Sequence, residues 1–186
     1  MTPISDFPAV TLVLGGARSG KSLYAEKLLD RHDEKIYIAT AEAAFEPGDA
    51  EMAARIEEHR KRRGPGWETI EEPLDLAAAL SAHARPGAPV LVDCLTLWLA
   101  NIMAAGRDAS AETGTLVEAL ATLAGPVVLV SNEVGLGIVP DNALARAYMD
   151  NAGRMNQVVA ASAQRVVSIT AGLPRVLKDT EVTPGG

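Results

Sequence analysis

Eight consecutive residues, Gly15-Gly16-Ala17-Arg18-Ser19-Gly20-Lys21-Ser22, carry the clearest chemistry in the chain. Gly15, Gly20, Lys21 and Ser22 meet the spacing G-x-x-x-x-G-K-[ST] in full. The stretch leads from an apolar, β-branched run (Val10 to Leu14) into a helical pattern (Leu23 to Leu29). Strand, glycine-rich turn and helix is the setting a phosphate-binding loop needs. The glycines let the backbone turn its N–H groups toward a polyphosphate, and the helix start adds partial positive charge. Lys21 is expected to reach the β- and γ-phosphates and Ser22 to ligate Mg²⁺. The loop points to a nucleoside triphosphate and leaves the acceptor open.

Three further sets of residues could act on such a ligand. Asp93 ends the continuous apolar run Pro89-Val90-Leu91-Val92, the pattern of a strand buried on both faces. A carboxylate there can orient Mg²⁺ or its water, and it can also cap the helix beginning at Leu95. A helix is expected from about Asp49 to Arg63, with Met52, Ile56, His59 and Arg63 on one face. His59 then turns toward protein, where a packed, hydrogen-bonded histidine is the plain reading. Arg60-Lys61-Arg62-Arg63 places cations beside it, which also suits a helix C-terminus. Two loops complete the set. Thr40-Ala41-Glu42-Ala43 follows a strand and is either a wall of the nucleotide site or a plain connection. Asn132 to Pro140, with two glycines and a proline, reads as a specialised loop at a strand's carboxyl end. Glu71 and Glu72 face solvent or meet a base or ribose.

The elements that must position these residues follow from periodicity and breakers. Strands are expected at Val10 to Leu14, Lys35 to Thr40, Trp67 to Glu72, Pro89 to Asp93, Pro126 to Ser131 and Arg165 to Ala171, with Gly172 ending the last. Asp75 is expected to cap a helix through Leu76, Ala79 and Leu80. Further helices are expected from Leu95, from about Glu112 to Leu123, and from Asp141 or Asn142 through Tyr148. A separate one spans about Ala152 to Gln164, with Met155, Val159 and Ala163 on one stripe. Strands alternating with helices argue for a three-layer α/β architecture with a mainly parallel central sheet.

At 186 residues and 48% hydrophobic, the chain suits a single folded domain over residues 1–186, with loosely held ends at about 1–8 and 180–186. Its net charge of −7 argues against nucleic-acid or anionic-membrane partners. No apolar run approaches the roughly 20 residues of a membrane span, and Met1 to Pro8 lacks the features of a secretory signal. The single cysteine, Cys94, is expected to pack rather than react. A cytoplasmic location is the expectation that follows.

Several segments together resemble a known family. They are the phosphate loop, Tyr37-Ile38-Ala39-Thr40, Glu51-Met52-Ala53-Ala54-Arg55-Ile56 before His59-Arg60, and Trp67-Glu68-Thr69 before Glu71. The Asn132-to-Pro140 loop and Asn151-Ala152-Gly153-Arg154-Met155-Asn156-Gln157 complete them. From about Thr11 to Ala171 the chain resembles the bifunctional adenosylcobinamide kinase/adenosylcobinamide-phosphate guanylyltransferase family of cobalamin biosynthesis. The resemblance implies a P-loop NTPase domain of the RecA-like kind, GTP and ATP as substrates, Mg²⁺ as cofactor and a homotrimer with active sites between subunits. It implies that His59 receives GMP from GTP and passes it to adenosylcobinamide phosphate, which reverses the plain reading of that residue. It implies nucleotide contacts by Gly15 to Ser22, by Ala41, Glu42 and Ala43, by Arg60, Lys61, Arg62 and Arg63, and by Glu71 and Asp93. Lys21 joins His59 as a catalytic residue, and Ser22 and Asp93 form the metal site. The competing readings are a small-molecule kinase with a structural His59 and a nucleotide-dependent switch without transfer chemistry.

Overall fold

The computed structural model describes residues 8–41, 63–137 and 139–180. Within them the chain forms β1 (Val10–Gly15), α1 (Lys21–Leu28), β2 (Lys35–Ala39), β3 (Trp67–Glu71), α2 (Leu76–His83), β4 (Val90–Asp93), α3 (Leu95–Ala104), α4 (Ala109–Leu120), β5 (Val127–Asn132), α5 (Ala143–Ser162), β6 (Arg165–Thr170) and β7 (Leu173–Asp179). The expected helix from about Asp49 to Arg63 falls almost wholly outside the described residues.

The alternation of side chains along the strands decides the layers. Val10, Leu12 and Leu14 of β1, Ile36 and Ile38 of β2, and Val90 and Val92 of β4 all point to one face. There they pack with Leu76, Leu80, Leu95, Trp98, Leu116, Met155 and Val159 from α2 to α5. Val13, Tyr37, Leu91, Val128 and Val167 point to the other face and pack with Ala25 and Leu29 of the α1 segment. Because both faces are covered, the central strands are apolar along most of their length, as the runs in β4 and β5 foretell, with Thr11 and Ser131 as buried polar positions.

The strand order is β3-β2-β4-β5-β1-β6-β7. The first six strands in chain order pair in parallel, and β7 runs antiparallel to β6. After β1 the chain crosses to one side of the sheet, and after β5 it crosses to the other. The carboxyl end of β1 is therefore a topological switch point, the crevice where open α/β sheets take ligands. The phosphate loop leaves β1 at that point.

Four expectations are corrected. Asp75 stands at the N-cap of α2, just before Leu76, but makes no side-chain cap. Its carboxylate pairs with Arg107, while Glu72 Oε1 accepts the N–H groups of Leu74 and Asp75 in the turn before the helix. Asp93 does not cap α3, because Cys94 occupies the cap position in extended backbone. The fourth helix begins earlier than expected, since the Asp108 carboxylate accepts the N–H groups of Ser110 and Ala111. The two expected helices around residues 141–164 are one, α5, of 20 residues. Gly153 lies in its interior, where a glycine costs about 1 kcal/mol. Burial of Ala152, Met155 and Val159 on either side outweighs that.

A seventh strand, β7, was not expected. Ala171 and Gly172 both take positive φ (51° and 79°), the two-residue turn that closes a right-twisted hairpin between Thr170 and Leu173. Pro174 is tolerated there because β7 is an edge strand. No helix among the described residues is long and apolar enough to cross a membrane.

Candidate active site

The phosphate loop is built by three constraints. Gly15, at the end of β1, has no room for a side chain: a Cβ there would sit 2.5 Å from Ser19 Oγ and 2.7 Å from the carbonyl oxygen of Ile169. Gly20 takes φ +94° immediately before α1, a left-handed conformation that suits glycine. The Ser19 carbonyl then accepts the N–H of Gly172 at 2.9 Å, which ties the loop to the β6–β7 turn. Lys21 opens α1 and is buried, with its Nζ donating to the Gly16 carbonyl at 3.1 Å. Ser22 follows it on the first turn, half-buried.

Asp93 reaches the same end of the sheet from β4. The two strands are separated only by β5, with Asp93 opposite Val130 and Gly15 opposite Asn132. Asp93 is half-buried, and its Oδ2 accepts the Tyr37 hydroxyl at 3.3 Å. The next residue, Cys94, is fixed by Thr40, whose Oγ1 donates to the Cys94 carbonyl (2.8 Å) and accepts its N–H (2.9 Å). The Asp93–Cys94 peptide bond is cis. Burial first, and the Asp93 charge second, push the Cys94 thiol up from its ordinary value, while Lys21 is close enough to oppose the shift. The lysine of the loop and the end of β4 thus share one electrostatic environment.

Behind them lies a polar network. Asn132, the last residue of β5, donates to Thr96 Oγ1 at 2.6 Å, and Thr96 Oγ1 lies 3.3 Å from the Cys94 sulfur. Asn156 on α5 donates to the Asn132 carbonyl (3.1 Å) and accepts the buried Ser131 hydroxyl (2.6 Å). The Tyr148 hydroxyl donates to the Thr96 carbonyl at 3.0 Å. The N–H of Glu133 closes the circuit on the Gly15 carbonyl at 3.2 Å. The loop after β5 is therefore joined both to the phosphate loop and to the end of β4. Of this network, Gly15, Cys94, Asn156 and the loop from Asn132, with Glu133, drew notice in the sequence. Thr96 looked like an ordinary position within a helix, and no chemical role was read at Tyr37.

Glu71 lies at the exposed end of β3, and Ala41 follows Thr40 beyond the end of β2. Arg63 stacks on Tyr37, its guanidinium carbon 3.4 Å from the ring centroid. His59, Glu42, Ala43, Arg60, Lys61 and Arg62 lie outside the described residues. The structure thus brings Lys21, Ser22 and Asp93 to one end of the sheet, with Arg63 reaching Asp93 through Tyr37. Ser22 and Asp93 offer hydroxyl and carboxylate oxygens, the donor types a hard divalent cation takes beside phosphate oxygens.

Loop, strand order and terminal aspartate define a P-loop α/β protein of RecA-like architecture. A solved ATPase domain shares that fold at 11% identity, with a TM-score of 0.53 over 93% of this chain and 78% of that chain. Residues 11–177 match the model of the family described as cobinamide kinase / cobinamide phosphate guanyltransferase, and the chain belongs to that family. Curated relatives agree. The bifunctional adenosylcobalamin biosynthesis protein CobP of Pseudomonas aeruginosa is 49% identical over 170 residues, covering 90% of this chain and 96% of that protein. Its counterpart CobU of Escherichia coli is 40% identical over 177 residues, covering 87% and 96%.

Proposed function

We propose that this chain carries out both reactions of its family. As a kinase it transfers the γ-phosphoryl group of ATP or GTP to the hydroxyl of the aminopropanol arm of adenosylcobinamide. As a guanylyltransferase it converts the resulting phosphate to adenosylcobinamide-GDP. The observation that carries the reading is family membership over residues 11–177, which include a complete phosphate loop.

In the guanylyltransferase reaction a neutral ring nitrogen of His59 attacks the α-phosphorus of GTP. The phosphorus–nitrogen bond forms as the bond to pyrophosphate breaks. A phosphate oxygen of adenosylcobinamide phosphate then attacks the same phosphorus, and the histidine leaves. Arg63, four residues after His59, is held against Tyr37 beside Asp93. Four residues of chain span at most about 14 Å, so the tether keeps His59 within that distance of the Arg63 backbone. Arg60, Lys61, Arg62 and Arg63 offset phosphate charge, and Ala41, Glu42, Ala43 and Glu71 contribute nucleotide contacts.

Lys21 spends one of its three donors on Gly16 and keeps two for phosphate oxygens. Mg²⁺, when bound, neutralises charge developing on the transferred group. Ser22 and Asp93 would hold it. Asp93 fits that part, because its Oδ2 is engaged by Tyr37 while the other oxygen has no hydrogen-bond partner among the described residues. The active form is a homotrimer, and the enzyme works in the cytoplasm.

The experiment is to supply adenosylcobinamide with ATP or GTP and Mg²⁺, then GTP, and follow products by mass spectrometry. Adenosylcobinamide phosphate, then adenosylcobinamide-GDP with pyrophosphate, is expected. Phosphate alone would reduce the reading to a kinase, and neither product, with nucleotide bound, would overturn it.

A further inference from the structure

Asp93 has one recorded side-chain partner among the described residues, and it is a tyrosine on the neighbouring strand. In the β2–β4 pairing Ala39 lies opposite Asp93. Tyr37, two residues before Ala39, points to the same face of the sheet and is the diagonal neighbour of Asp93, within reach of a long side chain. That face is also the one covered by α1, which begins with Lys21 and Ser22. The Tyr37 hydroxyl therefore meets the carboxylate from the sheet side, at 3.3 Å from Oδ2.

The ring is held from several directions. It is 6% exposed. Trp67 meets it edge-on, with centroids 6.2 Å apart. Arg63 covers its face, with its guanidinium carbon 3.4 Å from the ring centroid, and Arg63 Nη1 is buried without a hydrogen-bond partner among the described residues. A tyrosine needed for packing alone could be a phenylalanine. A buried hydroxyl needs an acceptor, and here that acceptor is the acid of the metal site.

We propose that Tyr37 is a positioning residue for the transfer chemistry: its hydroxyl fixes the rotation of the Asp93 carboxylate so that the second oxygen faces the phosphate loop. This rests on the reading of Asp93 as a metal carboxylate.

The test is the affinity of Mn²⁺ for the GTP complex, read by the loss of free-ion paramagnetic signal, in the wild type, Tyr37→Phe, Asp93→Asn and the double variant. Binding of GTP in EDTA is measured beside it. Tyr37→Phe keeps the ring and removes only the hydroxyl. It is expected to weaken Mn²⁺ about three- to tenfold, the range of one net hydrogen bond. It should leave GTP affinity in EDTA at the wild-type value and add no loss in the Asp93→Asn background. Unchanged Mn²⁺ affinity in Tyr37→Phe would overturn the proposal. So would a loss of GTP affinity in EDTA as large as the loss of Mn²⁺, which marks a merely structural tyrosine. Unchanged Mn²⁺ affinity in Asp93→Asn would overturn both the proposal and the metal role of Asp93. The two transfer reactions, followed by their products, would still stand or fall separately.

Discussion

The Lys21 ammonium lies 3.1 Å from the carbonyl oxygen of Gly16, within its own loop. The contact holds a buried cation at the mouth of β1 and aims it across the loop, where polyphosphate oxygens would meet its remaining donors. Lys21→Ala removes this group without altering the glycines that shape the loop. Both transfer rates should fall by at least about a hundredfold, the scale for losing a charge-stabilising donor. The circular dichroism spectrum should stay unchanged. Steady-state assays of each half-reaction check this, and rates within a few fold of wild type would contradict it.

Gly15 is a separate requirement. A methyl group there meets Ser19 Oγ and, less avoidably, the backbone carbonyl of Ile169. Gly15→Ala should cost about 1–3 kcal/mol, as overpacking does, and should weaken nucleotide binding because β1, the loop and β6 must separate. Urea unfolding and GTP titration are the measurements.

Asn156 should prove structural for the site although it lies on α5. Asn156→Ala leaves the fully buried Ser131 hydroxyl and the Asn132 carbonyl without this partner. The expected cost is about 1–3 kcal/mol, visible as a lowered Tm. An unchanged Tm would mean that the network relaxes without it.

Alkaline stability should report the environment of Cys94. Its thiol is buried beside Asp93, and its folded pKa is raised above the ordinary 9.0. The folded state then holds the proton more tightly than the unfolded state. The stabilisation is complete below pH 9 and is lost as pH rises past it toward the folded value. Unfolding free energy should therefore fall more steeply between about pH 8 and pH 10 for wild type than for Cys94→Ala. Equal slopes would contradict the assignment.

Much of this was legible in the sequence because local rules and tertiary structure agreed. The phosphate loop, the six parallel strands and the stripe Met155, Val159 and Ala163 stand close to where spacing placed them, all three stripe residues being buried. The misses have physical causes. β7 escaped because Gly172 was read as a stop, when Ala171-Gly172 is a hairpin turn whose two positive φ angles reverse the chain. The break within α5 was placed between Tyr148 and Ala152, where the helix runs on without interruption and buries Ala152 and Met155. Asp75 looked like a cap by type and position, but its carboxylate pairs with Arg107 and makes no cap to the helix. The site's supporting residues were harder still. Tyr37 looks like any aromatic in a strand, and only the β2–β4 register sets it diagonal to Asp93.

The central claim is that a histidine carries GMP between two substrates. The direct measurement is the intact mass of the protein after GTP and Mg²⁺, in wild type and His59→Ala, before and after adenosylcobinamide phosphate is added. The account predicts a gain of one GMP in the wild type, its absence in His59→Ala, and its disappearance once the acceptor is present. No gain in a wild type shown to bind GTP, or a gain that persists in His59→Ala, would contradict it.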